Sequence, residues 1–277
     1  MNASAPLLFD RRLLAPRLAR ATAIDPATFL LDRVSDEMDE RLSAVLREFR
    51  IIADVWTPGS ALPPQRFPNV THVAVDPSGD EALSLAPGAY DLAVSALALQ
   101  FANDLPGVLA QIRRALKPDG LLLAALTGGD TLTELRQAFS AAEAEIEGGV
   151  SPRVAPAADL RDLGALLQRA GFALPVTDVD RVVVRYPHAF ALMQDLRRMG
   201  ATNMLIERRR TPLRRATLTR MAQIYADRFA DPDGRIRATF EIVWLSGWAP
   251  HESQQQPLRP GSAKASLAEA VKGLQPK

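Results

Sequence analysis

The length, composition and charge of this chain exclude several classes of protein. Its 277 residues allow one large domain or a core with an extension, and its hydrophobic (47%) and charged (23%) fractions are typical of a globular protein. The absence of cysteine excludes disulfides, zinc–thiolate sites and thiol nucleophiles. The net charge of +1 gives no reason to expect nucleic acid, and no apolar run approaches the roughly 20 residues of a membrane-spanning helix.

The opening segment predicts two helices. Helical periodicity covers residues 10–20 and 36–48. In the second of these segments, an apolar stripe runs between charged positions and consists of Met38, Leu42, Val45 and Leu46. We therefore assign residues 1–50 to lead-in helices that precede the main domain.

Short apolar runs and one amphipathic helix follow. Four runs predict buried strands, at residues 51–55, 72–75, 91–95 and 121–126. Several prolines between the first two runs forbid a regular helix there. Residues 104–116 place their apolar side chains on one helical face, and Pro118 and Gly120 stop that helix. Strand, helix and strand in this order predict a parallel sheet wound with helices.

The pattern changes after the fourth strand, where helices dominate. The predicted helices cover residues 131–147, 158–170, 190–199 and 212–229, and the predicted strands cover 182–186 and 238–248. The main domain is therefore assigned to residues 51–250, with a helical C-terminal elaboration. Residues 251–277, which contain three consecutive Gln, Pro257, Pro260 and Gly261, predict a poorly ordered tail.

Three local patterns resemble known families. Residues 90–95, 103–106 and 116–120 resemble the fourth strand, the helix after it and the start of the fifth strand in class I S-adenosylmethionine-dependent methyltransferases. The run at 128–136, GGDTLTELR, is more specific. It resembles the bacterial relatives of the mitochondrial complex I assembly factor that hydroxylates an arginine on the quinone-site subunit.

Further matches extend this resemblance over nearly the whole chain. They lie at residues 148–152, 159–164, 169–172, 195–200 and 247–253. A more distant similarity, through residues 131–139, is to the malonyl carrier-protein methyltransferase of biotin synthesis. The resemblance implies an α/β protein with a Rossmann-like class I methyltransferase fold. Its sheet would be parallel-dominated with helices on both faces, and its first half abbreviated.

The turn after the first strand departs from the family pattern. The family has a glycine-rich turn there, because small residues let backbone amides approach the methionine part of the cofactor. Here Trp56 stands where the first glycine should be, and Pro58 lacks an amide donor. Asp54 and Gly59 keep the expected chemistry. The S-adenosylmethionine site is therefore predicted to be degenerate.

The segment between the second and third strands is short. Only 14 residues separate Asp76 from Asp91, whereas one parallel crossover alone needs about 10–12 and the family fold adds a further strand here. One helix–strand unit is therefore predicted to be missing. Asp76 is the candidate ribose-binding acid, with Asp80 and Glu81 as alternative remnants of the adenine loop. Ser95, at the end of the third strand, completes the candidate cofactor residues.

The loop after the fourth strand supplies the candidate residues for a substrate or partner, which are Gly128, Gly129, Asp130, Glu134 and Arg136. In one interpretation the glycines admit a substrate that Asp130 reaches, while the two residues on the helix recognise an arginine or a carboxylate. In the other, which we prefer, Asp130 or Thr131 caps the helix and Glu134 completes a capping box. The two interpretations are compatible.

Two other features bear on function. The three histidines lack the spacing of a metal motif, and no metal site is predicted. The arginine-rich stretch at 207–215 either docks an acidic partner or an anionic membrane surface, or forms an exposed loop.

The resemblance implies a protein that acts on or chaperones a protein partner, such as a complex I subunit. If an active site survives, the resemblance implies hydroxylation of an arginine, and if none survives the protein is a pseudo-enzyme. S-adenosylmethionine is expected as a cofactor only if its site is intact. The expected location is the bacterial cytoplasm, or the mitochondrial matrix in a eukaryote, with peripheral membrane contact as an option. The rival functions are an active methyltransferase for a protein, carrier-protein or small-molecule substrate, and a non-catalytic binding protein.

Overall fold

A six-stranded mixed sheet organises the described residues, 7–156 and 158–255, of the computed structural model. The strands are β1 (Ile52–Val55), β2 (Val70–Val73), β3 (Tyr90–Ala96), β4 (Leu116–Thr127), β5 (Ala173–Tyr186) and β6 (Ile236–Trp248). Their order is β2-β1-β3-β4-β6-β5. The first four are parallel, and β6 runs antiparallel to both β4 and β5.

Helices cover both faces of this sheet. They are α1 (Leu14–Ala23), α2 (Phe29–Ser43), α3 (Leu105–Ala115), α4 (Thr133–Glu147), α5 (Leu160–Arg169), α6 (Ala189–Arg198) and α7 (Arg215–Phe229). Helices α2, α4, α6 and α7 pack on one face, and α3 and α5 pack on the other. Short 3₁₀ helices lie at Arg11–Leu13 and Leu99–Phe101.

The central strands are apolar throughout because both of their faces are buried. In β4, Leu121, Leu123 and Ala125 join the core under α2 and α4, while Leu122 and Ala124 join the core under α3 and α5. The strand order and the two helical layers confirm the predicted Rossmann-like class I methyltransferase fold.

The first half of the sheet is abbreviated, as the spacing predicted. Residues 74–89 contain turns but neither helix nor strand, and they lead directly from β2 to β3. Residues 56–69, between β1 and β2, also lack a helix. The prolines at 58, 63, 64 and 68 account for this second gap, since each restricts its own φ and lacks an amide donor.

Two sequence predictions need correction. The second lead-in helix is α2, which spans Phe29–Ser43 rather than 36–48, and Leu46 is 98% exposed. Its buried stripe has strict four-residue spacing and consists of Leu30, Val34, Met38 and Leu42. Strand β5 is also much longer than the predicted 182–186. Because β5 lies at the sheet edge and carries many charged residues, its apolar alternation is weak.

The domain boundaries at residues 50 and 250 stay predictions. Most of the predicted tail, residues 256–277, lies outside the described part of the chain. Among the described residues, no helix is both long and apolar enough to cross a lipid bilayer.

Candidate functional site

A cavity of about 660 Å³ lies at the carboxyl ends of the parallel strands. The loops after all four of these strands line it, with residues 56–59 after β1, 74–75 after β2, 97–98 after β3 and Gly128 after β4. In open α/β sheets this edge binds ligands, because the loops there diverge to opposite faces and leave a crevice. The cavity volume is within the range of small-molecule sites, roughly 300–1,000 Å³.

Two segments that are distant in sequence close this cavity. One is the arm, which we define as residues 8–13, and its Phe9 is part of the lining. The other is the segment 199–204, which follows α6. The two are joined by backbone hydrogen bonds, since the amide of Asp10 donates to the carbonyl of Met204 at 2.8 Å. The cavity wall therefore depends on contacts between segments that lie nearly 200 residues apart in the sequence.

The lining is mostly apolar, and no Asp or Glu is among the described residues that form it. Its two charged side chains already have carboxylate partners. Arg153 pairs with Glu143, and Arg198 pairs with Asp25 and Asp195. The neutral polar residues of the lining are Thr22, Thr28, Thr57, Gln100, Thr127, Thr131, Thr202 and Asn203. The cavity thus offers a ligand apolar surface and neutral hydrogen-bonding groups, but no carboxylate for a cation or a ribose diol.

Three non-glycine residues of the lining have a left-handed backbone. Their φ angles are +62° at Trp56, +52° at Leu97 and +54° at Leu132. Such conformations cost about 1–3 kcal/mol each and tend to cluster at ligand and active sites. Half of the six non-glycine residues with positive φ in the described chain lie around this one cavity. The strain therefore points to this edge of the sheet as the functional one.

The Trp56 side chain is buried beside a guanidinium group. The Arg11 carbon Cζ lies 4.1 Å from the centre of the indole ring. Nε of Arg11 lies 3.1 Å from Oε1 of Glu81, and Nη1 donates to the carbonyl of Phe101 at 3.1 Å. The Arg11 side chain is 1% exposed, and burial lowers the pKa of this arginine from its ordinary value. The Arg11 side chain therefore occupies one side of the Trp56 indole, while the turn after β1 still lines the cavity.

Sequence reasoning missed Arg11. Position 11 is distant from positions 56, 81 and 101, and no motif or periodicity connects them. The one available signal was the placement of an arginine at the start of a helical segment that also carries apolar residues. That signal fits an exposed helix equally well, so the contact could be found only in three dimensions.

Asp54 is buried in β1 and does not line the cavity. Its Oδ2 accepts a hydrogen bond from the amide of Ala61 at 2.9 Å and lies 3.5 Å from Nδ1 of His72. Its Oδ1 is buried without a hydrogen-bond partner among the described residues. Burial raises the pKa of Asp54, and the Thr57 hydroxyl and the Ala61 amide offset this only in part. Asp54 therefore holds the loop after β1 in place.

Of the remaining candidate cofactor residues, only Gly59 lines the cavity. Gly59 has a φ of +100° and open space around its Cα, as a turn glycine should. Asp76 and Asp80 are exposed, and each accepts hydrogen bonds from backbone amides one or two residues further along. Ser95 is fully buried, and its hydroxyl donates to the carbonyl of Val55 at 2.8 Å.

The two glycines after β4 have different surroundings. A Cβ at Gly128 would overlap the side chain of Glu241 and lie 2.8 Å from Cγ2 of Val243, whereas one at Gly129 would meet nothing within 4 Å. The Gly128 amide also donates to the carbonyl of Glu241 at 2.7 Å. Gly128 is therefore required where the end of β4 meets β6, while Gly129 is exposed and open.

Asp130 precedes the cavity-lining residue Thr131, and Arg136 bonds to the Thr131 carbonyl, but neither side chain is part of the lining. The Asp130 side chain is exposed and pairs with Arg181, which also lies 3.5 Å from Oε2 of Glu241. Nη2 of Arg136 donates to two carbonyls of the loop, those of residues 129 and 131, at 3.1 and 3.2 Å. Asp130 is accessible to a partner, and Arg136 fixes the loop that presents it.

The predicted capping box at the start of α4 is wrong. The N-cap residue is Leu132, and no side chain caps the helix. Instead, the buried carboxylate of Glu134 accepts hydrogen bonds from the amide and the hydroxyl of Thr239 in β6, at 3.1 and 2.6 Å. Two donors on the neighbouring strand replace the local partner because α4 packs its first turn against the sheet.

The arginine-rich stretch is partly neutralised. Arg209 and Arg214 lie 3.1 and 3.5 Å from Oε2 of Glu147, and Arg208 lies 3.6 Å from Oδ2 of Asp10.

Among the described residues, no group of three or more His, Cys, Asp or Glu could hold a metal ion.

Comparisons with known proteins agree with this architecture. The family model of the methyltransferase domain matches residues 54–124, which include β2 and β3, the end of β1 and most of β4. The chain is 42% identical over 193 residues to a protein from Danio rerio named arginine-hydroxylase NDUFAF5, mitochondrial, covering 70% of this chain and 60% of the relative. It is 42% identical over 181 residues to the malonyl-acyl-carrier-protein O-methyltransferase of Laribacter hongkongensis, covering 65% of this chain and 58% of that enzyme.

The match thus spans less than two thirds of the length of either curated relative. Among solved structures, the chain is similar to phosphoethanolamine N-methyltransferase 2 of Haemonchus contortus, with 13% identity and a TM-score of 0.44. That similarity covers 78% of this chain and 52% of the other.

Proposed function

Because this chain belongs to the class I methyltransferase superfamily, among relatives of the arginine-hydroxylase NDUFAF5, we propose that it acts on or chaperones a protein partner rather than transferring a methyl group. The partner that the resemblance implies is a subunit of respiratory complex I. The proposed location is the bacterial cytoplasm, or the mitochondrial matrix if the chain is eukaryotic, with peripheral membrane contact where the partner requires it.

The observation that carries this proposal is the chemistry at the turn after β1, where Arg11 packs over Trp56 and no Asp or Glu is among the described residues that line the adjoining cavity. S-adenosylmethionine brings a sulfonium cation and a ribose diol, and an intact family site meets them with acidic side chains and a glycine turn. Here Trp56 replaces the first glycine, Arg11 covers the indole, and the carboxylate of Asp54 is buried in the fold. These residues do not fit the cofactor, and we treat the site as degenerate.

Titration calorimetry with S-adenosylmethionine tests this part of the proposal. No heat and no thermal shift are expected, even at millimolar ligand. Binding with a micromolar dissociation constant would contradict a degenerate site. It would favour a second candidate function, an active methyltransferase, which the 42% identity to the malonyl-acyl-carrier-protein enzyme supports.

The partner is proposed to meet the rim of the cavity at the loop after β4. There Gly129 has free space around its Cα, and the Asp130 side chain is exposed. Arg136 holds the loop in place through a hydrogen bond to the Gly129 carbonyl. An exposed carboxylate in a fixed loop suits a basic segment of a partner, and an arginine is the residue type that the relative's name implies.

Affinity capture tests the partner. Tagged protein from cells that contain complex I is expected to enrich complex I subunits, and Asp130→Ala is expected to reduce that enrichment. Asp162→Ala, which removes an exposed carboxylate on α5, a helix with no residue in the cavity lining, is the matched control. Unchanged complex I levels in a deletion strain would contradict the proposed role.

A further inference from the structure

We propose that the cavity at the carboxyl ends of the parallel strands binds an uncharged, predominantly apolar small molecule. This inference goes beyond the proposed function, which places a protein partner at the loop after β4 and assigns no ligand to the cavity. It rests on one part of that function, the degenerate S-adenosylmethionine site, because an intact site would bind a sulfonium cation here.

The charges around the cavity disfavour a charged ligand. No Asp or Glu is among the described residues of the lining, so a cation would be buried there without a counter-charge. Arg153, one of the two lining arginines, pairs with Glu143, whose side chain is 0% exposed. An anion that took Arg153 would leave this carboxylate buried and unpaired, which is strongly unfavourable.

The second lining arginine, Arg198, is also fully matched. Its Nη1 donates to the Asp195 carboxylate at 3.1 Å, its Nε donates to the Asp25 carbonyl at 2.7 Å, and its Nη2 pairs with the Asp25 carboxylate. An anionic ligand at Arg198 would therefore meet two negative charges for one positive charge. Neither arginine has a charge to spare for a ligand, so the lining favours an uncharged molecule.

Most neutral polar side chains of the lining are already hydrogen-bonded within the protein. Six of the eight make such bonds, namely Thr22, Thr28, Thr57, Gln100, Thr131 and Asn203. For the other two, Thr127 and Thr202, residues 7–156 and 158–255 supply no partner to the side chain. The lining can thus bond one or two polar groups of a ligand, and the remainder of the ligand must be apolar.

Three large apolar residues line the cavity at positions where the backbone alone would favour glycine. Trp56, Leu97 and Leu132 have φ angles of +62°, +52° and +54°. Glycine adopts such angles without steric cost, whereas these side chains make them unfavourable. Glycine would also remove apolar surface from the wall. Their presence at all three positions indicates that the wall needs this surface.

The volume of the cavity suits a molecule rather than a few waters. About 660 Å³ would take roughly 20 water molecules at about 30 Å³ each. Water beside this lining would find few hydrogen-bond partners, since most polar groups are committed elsewhere. Displacement of poorly bonded water by an apolar ligand is favourable, and the volume is that of a small-molecule site.

Three probes with the same ten-carbon chain test the charge requirement. Near neutral pH, decanol is uncharged, decanoate is an anion and decylammonium is a cation. Each is titrated calorimetrically into the full chain, below the concentration at which the probe aggregates. Decanol is expected to bind about tenfold more tightly than either charged probe. No binding of decanol, or equally tight binding of a charged probe, would overturn the proposal.

Two variants of α1 test whether decanol binds in the cavity. Ala15 lines the cavity, whereas Ala19 on the same helix is exposed and outside the lining. Ala15→Phe is expected to weaken decanol binding about tenfold or more by filling the cavity, and Ala19→Phe is expected to leave it unchanged. Equal affinities of the two variants would refute the site.

A third variant keeps the location testable if Ala15→Phe does not fold. Ala155→Phe fills the cavity from the wall formed by residues 153–156, and it should weaken decanol binding relative to Ala19→Phe in the same way. These titrations use neither S-adenosylmethionine nor complex I. Micromolar binding of S-adenosylmethionine would refute the proposed function, whereas absence of decanol binding without it would refute this inference alone.

Discussion

Asp54 and Glu143 are both buried carboxyl groups, but their surroundings shift their pKa values in opposite directions. For Asp54, desolvation outweighs the available hydrogen bonds and raises the pKa. Burial also acts to raise the pKa of Glu143, but the Ser151 amide, the Arg153 guanidinium and the Ser151 hydroxyl outweigh it and lower the pKa. The number of hydrogen-bond donors that reach each carboxylate therefore decides whether its pKa is raised or lowered.

The raised pKa of Asp54 predicts a specific pH dependence. Protonation of Asp54 favours the folded state, so its contribution to stability is full below the unfolded pKa, about 3.9, and is lost as pH rises through the folded pKa. We expect the unfolding free energy of wild type minus that of Asp54→Asn to fall as pH rises from about 4 toward neutrality. Urea denaturation at a series of pH values measures this difference, and a constant difference would contradict the assignment.

Glu143 predicts the opposite dependence of stability on pH. Its lowered pKa means that its stabilising contribution is present above the unfolded pKa, about 4.3, and is lost as pH falls through the folded pKa. The advantage of wild type over Glu143→Gln should therefore be largest near neutrality and shrink in acid. Urea denaturation of the two proteins from neutral pH into acid gives this advantage at each pH. If the advantage grew in acid, the hydrogen bonds from Ser151 and Arg153 would not lower the pKa of Glu143.

At the scale of the element, the junction between β4 and α4 depends on Gly128. Gly128→Ala should cost about 1–3 kcal/mol of unfolding free energy, since the new methyl group would overlap Glu241 and Val243 in β6. Gly129→Ala, one residue along, should stay within about 0.5 kcal/mol because the position is open. Chemical denaturation of both variants provides the comparison, and equal losses would show that the close approach to β6 is not the cause.

Elements with strong periodicity could be predicted from the sequence, and those shaped by tertiary contacts could not. The buried strands β1 and β3 and the amphipathic helix α3 were found within a few residues, and counting residues between Asp76 and Asp91 identified the missing unit. Strand β4 was found only in part, because it begins at Leu116 rather than at residue 121. The edge strand β5 was underestimated because its charged residues pair with α2, as Asp180 does with Arg33. The capping-box rule, which considers only neighbouring residues, also failed at Glu134, because its hydrogen-bond partner Thr239 is 105 residues away.

Only the parts of the candidate site that lie in loops directly after predicted strands could be predicted from the sequence. The loops after β1 and β4 do line the cavity, through Gly59 and Gly128, as the fold resemblance implied. Much of the rest of the wall comes from the arm, α1 and residues 26–31, 153–156 and 199–204, and no pattern in the sequence indicates that these segments meet. Whether the candidate cofactor residues bind a ligand stays a prediction.

At the scale of the whole molecule, closure of the cavity depends on the contact between α1 and the turn after α6. Gly200 has a φ of +72°, and a Cβ there would lie 2.9 Å from Cδ2 and 3.3 Å from Cα of Leu18. Gly200→Ala should loosen this contact, lower the melting temperature and increase the binding of an apolar fluorescent dye to the folded protein.

Gly234→Ala is the matched control for this prediction. Gly234 has a similar φ of +80° but open space around it, so alanine there carries the backbone strain without the clash. Gly200→Ala should be less stable than Gly234→Ala by about 1–3 kcal/mol, and only Gly200→Ala should bind more dye. Equal stability and equal dye binding in the two variants would mean that the α1 contact does not close the cavity.

The bonds from the arm to residues 103 and 204 also set an order of events during synthesis. The ribosome makes residues 8 and 9 long before it makes Met204, so the amide of Asp10 has no acceptor there until nearly 200 further residues have emerged. Through that interval Phe9 and the apolar face of α1 have no completed wall to join, and they are available to chaperones. The wall of the ligand cavity is consequently among the last parts of the nascent chain to become native.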